Sequence, residues 1–134
     1  VTGVQNGMAL RSDVNRSMFP VAALDRLGDQ AVYGKVFNHM QWGGYLLWRL
    51  GPRASLYVDG RMLDSSRLEP YRHMLWATPA GIELLRQEQF DMVMLPPSNR
   101  FTGERYALID YLRMRPEWRL LYQDHNAVVF VRSN

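Results

Sequence analysis

Apolar positions fall into two recurring patterns along the chain. Compact apolar runs at Tyr33–Phe37, Ala54–Val58, Phe90–Leu95 and Ala127–Val131 have the length and bounding turn residues of buried strands. Between them, apolar residues recur at helical spacing: Val21, Leu24 and Leu27; Leu46, Leu47 and Leu50; Ile82 and Leu85; Tyr106, Ile109 and Leu112. Trp118–Gln123 instead alternates, with Trp118, Leu120 and Tyr122 on one side and Arg119, Leu121 and Gln123 on the other. That pattern predicts a half-exposed strand.

The breaks fall where helix and turn chemistry puts them. Phe19-Pro20 opens the first helix and Gly28 stops it. Trp42 or Gly43 begins the second, which ends at Gly51-Pro52. A third is expected over 67–75, with Glu69-Pro70 in its first turn. Thr78-Pro79 starts a fourth that runs to Gln87, and Met74, Leu75 and Trp76 between the two cover apolar surface. Thr102 is expected to cap a fifth, with Glu104 in its first turn and Pro116 at its end. Asp124-His125-Asn126 joins the last two strands in a hairpin.

These elements predict an α/β fold: a three-layer, Rossmann-like domain with a mostly parallel sheet and a C-terminal antiparallel hairpin. Right-handed crossovers give the strand order 2-1-3-5-4, with the all-apolar final strand inside and the alternating one at the edge. Residues 1–17 are polar and aperiodic, and are expected to be an irregular lead or linker before a single domain over 18–134.

The 134 residues suffice for one domain with a substantial core. Cysteine is absent, which excludes disulfides, thiolate metal sites and cysteine nucleophiles and leaves the compartment open. The net charge of +3 comes from scattered arginines interleaved with 13 acids, not from a basic stripe, so no nucleic-acid partner is expected. His39, His73 and His125 lack metal-ligand spacing, and no nucleophile-base pair or phosphate loop is recognisable; no metal, cofactor or catalytic residue is expected. No apolar run is long enough to span a bilayer, and the first residue is Val1, so a segment cut from a longer polypeptide is expected.

The stretch from Lys35 to Arg61 holds the candidate site. It is a β-α-β unit of about 27 residues, near the lower limit for a crossover. Ligands of open parallel sheets sit beyond the carboxyl ends of the strands, and here those ends carry Asn38, His39, Asp59 and Arg61. Asn38, Trp42, Gly43, Tyr45, Asp59 and Arg61 are therefore expected to converge as a ligand-binding edge. Two local readings stay open. Gly43-Gly44 either lets backbone approach a ligand or lets the helix pack closely under the sheet. Asp59 and Arg61 either hydrogen-bond a ligand or cap and pair within the protein.

Val36-Phe37-Asn38, Gln41-Trp42-Gly43-Gly44-Tyr45-Leu46 and Val58-Asp59-Gly60-Arg61, with Trp118-Arg119-Leu120 and Val128-Val129-Phe130-Val131-Arg132, carry a resemblance over about Phe19 to Arg132. The chain resembles the carboxyl-terminal soluble domain of bacterial polytopic membrane proteins of the lipid-linked-sugar glycosyltransferase type. It is more distantly similar to the soluble domain of the oligosaccharyltransferase catalytic subunit. That subunit's Trp-Trp-Asp-Tyr-Gly motif is matched here only by Gln41-Trp42-Gly43-Gly44-Tyr45, with one tryptophan and no aspartate. The resemblance implies an extracytoplasmic domain at a bacterial inner membrane, partnered by the membrane-embedded portion of the same polypeptide and by a glycan or peptide acceptor. Such a domain binds or positions the acceptor or packs over the membrane active site. The alternative is a purely structural or protein-interaction domain without a ligand.

Overall fold

A computed structural model describes residues 18–28, 33–59 and 65–133. Five strands form one sheet among them: β1 (Gly34–Asn38), β2 (Ala54–Leu56), β3 (Met92–Leu95), β4 (Trp118–Gln123) and β5 (Val128–Arg132). The order is β2-β1-β3-β5-β4, as the apolar runs predict. β1 pairs in parallel with β2 and β3, whereas β5 is antiparallel to both β3 and β4.

The five helices described are α1 (Val21–Leu27), α2 (Gly43–Leu50), α3 (Ser65–Leu75), α4 (Pro79–Glu88) and α5 (Ala107–Arg113). They divide between the two faces because successive strand residues point opposite ways. Phe37, Val93, Leu95, Val128 and Phe130 meet Met74, Leu85 and Leu112 from α3, α4 and α5. Val36, Met92, Met94 and Val129 meet Leu24, Leu46 and Leu50 from α1 and α2. The sheet is thus covered on both sides, and β3 is buried along its whole length.

α3 and α4 touch at backbone level. A Cβ at Gly81 would fall well inside van der Waals distance of the His73 carbonyl, so only hydrogen fits there. Thr78 starts α4 as its sequence predicts, its hydroxyl accepting from the Gly81 N–H at 3.0 Å.

Three local expectations change. α3 begins at Ser65, two residues before the expected start, so Pro70 lies inside the helix. Thr102 caps no helix: the Asn99 side chain accepts from the Phe101 and Thr102 N–H groups at 2.8 and 3.1 Å. Gly103, at φ 75°, then turns the chain back so that Ser98 bridges Arg105, and α5 starts only after Tyr106. Local Asx chemistry wins there over the helix signal. Finally, β4 does not keep its alternation. Leu120 pairs with Phe130 and Tyr122 with Val129, leaving Leu121 as an extra residue. This bulge puts Trp118 with the α3–α5 side of the core and Tyr122 with the α1–α2 side.

Candidate functional site

The first crossover carries α2 to one face of the sheet, and the second carries α3 and α4 to the other. The connections therefore diverge between β1 and β3, the switch point at which open α/β sheets hold their ligands. A cavity of about 420 Å³ opens there. Its wall comes from the segment after β1 (His39, Gln41 and Trp42), the loop after β3 (96–101), Tyr106 at the mouth of α5, the β4–β5 turn (His125 and Asn126), and Met18.

His39 organises this wall. Its N–H continues the pairing of β1 with β3 by donating to the Met94 carbonyl at 3.1 Å. Its side chain caps the one-turn 3-10 helix Met40–Trp42, with Nδ1 accepting from the Gln41 N–H at 3.2 Å. Because Nδ1 accepts, the ring proton sits on Nε2, which donates to the Tyr106 hydroxyl at 3.1 Å. Burial lowers the His39 pKa to about 4, so the ring is neutral at pH 7 and this tautomer persists. Burial raises the Tyr106 pKa, which keeps its proton on as well. Tyr71 supports the same turn from α3: its hydroxyl accepts from the Met40 N–H at 2.9 Å, and burial pushes its pKa up.

The residues predicted from the sequence do not all meet. Asn38 is wholly buried and acts as a surrogate peptide group. Its Oδ1 accepts from the Val58 N–H at 3.2 Å, and its Nδ2 donates to the Val58 and His39 carbonyls at 2.7 and 3.1 Å. The side chain thus prolongs the β1–β2 pairing where β2 has ended as a strand, and brings Asn38 beside the residue that precedes Asp59. Asp59 itself is half-buried beyond β2, and Arg61 lies outside the described residues.

Trp42 is buried and borders the cavity, with its indole N–H donating to the Met18 carbonyl at 2.9 Å. Gly43 is buried as the first residue of α2. Tyr45 faces α1: its ring stacks on Phe19 at 5.0 Å and its hydroxyl accepts from Arg49, which also pairs with Asp25. Trp48, one turn on, is mostly exposed. Trp42, Tyr45 and Trp48 therefore occupy a buried, a half-buried and an exposed position, with the Tyr45 and Trp48 ring centres 5.9 Å apart.

Asn99, Arg100, Phe101 and Tyr106, none of them among the residues expected to converge, line the cavity with His39. The signal was present in the predicted strand order, which already makes β1 and β3 neighbours with diverging crossovers. Among the described residues no cluster of His, Asp and Glu has the geometry to hold a metal, and no helix is long and apolar enough to cross a membrane.

No protein-family model matches the chain, and no curated protein does. Among solved structures, it is similar to the C-terminal globular domain of oligosaccharyltransferase from Archaeoglobus fulgidus. The TM-score is 0.53 over 74% of this chain and 80% of that one, at 8% identity. Likeness at that identity is likeness of fold.

Proposed function

We propose that the chain is a glycosylation-related accessory domain, the extracytoplasmic carboxyl-terminal part of a multi-span, glycosyltransferase-like protein of a bacterial inner membrane. It binds or positions an acceptor beside the membrane-embedded portion of the same polypeptide. The observation that carries this reading is the switch-point cavity, whose wall holds hydrogen-bonding groups in fixed orientations and, among the described residues, contains no nucleophile-base pair. Such a wall holds a ligand and leaves bond making to groups elsewhere. The sequence resemblance and the fold shared with the oligosaccharyltransferase domain support the glycosylation context.

The test uses the full-length product of the gene. It should fractionate with membranes and transfer a glycan from a lipid-linked donor, and Tyr106→Phe or Arg100→Gln should lower transfer while the domain stays folded. Unchanged transfer in both variants, or a full-length product without membrane spans, would overturn the proposal.

A second reading, an interaction domain without a small ligand, is favoured by the exposure of Trp48 and Phe101, at 68% and 78%. Under it, Trp48→Ser would impair the full-length protein and the two cavity variants would not.

A further inference from the structure

We propose that the switch-point cavity takes an oxyanion, the carboxylate or phosphate group of a sugar-sized ligand. This rests on the reading of the cavity as the ligand site and is independent of the glycosylation context.

Tyr106 receives the His39 Nε2–H on its oxygen, so its own proton is left to donate elsewhere. The source of that polarity is backbone: the Gln41 N–H fixes Nδ1 as the acceptor and thereby makes Nε2 the donor. Asn99 is biased the same way, because its Oδ1 accepts from the Phe101 and Thr102 N–H groups and its amide N–H₂ remains. Arg100 lies beside them with its guanidinium 5.4 Å from the centre of the Phe101 ring, and it forms no ion pair among the described residues. Two oriented neutral donors and a cation thus line one wall.

Nothing acidic among the described lining residues competes for them. The carboxylate next along the chain, Asp124, is committed to closing the β4–β5 turn. Its Oδ1 accepts from the Asn126 and Ala127 N–H groups at 2.7 and 2.8 Å, and its Oδ2 accepts from the Tyr122 hydroxyl. The unspent donors of Tyr106 and Asn99 beside the Arg100 cation favour ligand oxygens that only accept, and charge strengthens those bonds. The volume of about 420 Å³ suits a monosaccharide-sized molecule, and the Trp42 and Phe101 rings provide apolar surface for its body.

The experiment is calorimetric and NMR titration of the chain at low salt with glucose 1-phosphate, glucuronate and glucose. At least one of the two anions should bind, with glucose about tenfold weaker or worse, and the better anion identifies phosphate or carboxylate as the group held. Arg100→Gln, at an exposed loop position, should lose about tenfold in anion affinity, and Tyr106→Phe about threefold, in variants whose spectra show the native fold. Glucose binding as tightly as both anions, no binding of either anion up to about 20 mM, or an unchanged anion affinity in Arg100→Gln would overturn the inference. Anion binding by the chain combined with unaltered glycan transfer in the full-length protein would retain this inference and remove the proposed context.

Discussion

Replacing Asn38 tests how β1 and β2 are held together beyond their last backbone pair. In Asn38→Leu the volume is kept, but the Val58 N–H and carbonyl lose their partners in a place where Asn38 is fully buried and Val58 nearly so. A buried backbone group without a partner costs about 1–3 kcal/mol, so two of them, with partial relaxation, cost about 3–4 kcal/mol. For a chain of this size that is a fall in Tm of about 10 °C. Asn38→Asp separates geometry from chemistry. Its carboxylate can still accept from Val58 N–H but faces the Val58 and His39 carbonyl oxygens, so the folded state favours the protonated acid. The aspartate pKa is then higher folded than unfolded, and the variant should regain stability as pH falls from 7 to about 5. Urea unfolding followed by tryptophan fluorescence measures both. Variants within about 1 kcal/mol of the parent at pH 7 would refute the surrogate-peptide role of Asn38.

Other outcomes follow from the same structure. His39 has a folded pKa of about 4 against about 6.5 unfolded, so the unfolded chain takes up its proton first. Its contribution should be complete above pH 6.5 and be lost as pH falls towards 4, by about 1–3 kcal/mol after discounting its partial exposure. His39→Asn keeps an acceptor for the Gln41 N–H and should remove that difference in parallel urea titrations. Gly81→Ala should cost about 3 kcal/mol by forcing α4 off the α3 backbone. Gly44→Ala, which meets nothing within 4 Å in a helical turn, should stabilise by about 0.5 kcal/mol in the same assay.

That contrast bears on what the sequence could convey. Two adjacent glycines, Gly43-Gly44, open a helix, yet open space surrounds Gly44, whereas at Gly81, a position no local pattern singles out, a Cβ would run into backbone. Close approach depends on how two helices cross, which a local pattern does not encode. The sheet order was legible because it follows from run length, apolar continuity in Ala127–Val131 and crossover handedness. The bulge at Leu121 was not, since Trp118, Leu120 and Tyr122 alternate cleanly and only the pairing with Phe130 and Val129 reveals the extra residue.

The site followed a similar division. The strand order makes a cavity at the carboxyl edge legible, and Trp42, expected among the ligand-binding residues, borders it. Asn38 and Asp59 pointed instead to the β1–β2 junction, because polar residues after strands look alike whether they bind a ligand or, as Asn38 does, replace missing backbone bonds. Thr102 and Glu104 signal a helix start where the structure has a loop closed by the Ser98–Arg105 bridge, and the donors of Asn99 and Arg100 lie in that loop.

The proposed ligand site of this domain lies between β1 and β3. A ¹H–¹⁵N correlation map of the chain during titration with glucose 1-phosphate and glucuronate tests it most directly. Whichever anion binds should shift the Gln41, Asn99, Arg100, Phe101 and Tyr106 amides and leave the Asp59 amide unmoved. Shifts confined to Asp59 and its neighbours beyond β2, with the cavity amides unchanged, would contradict it.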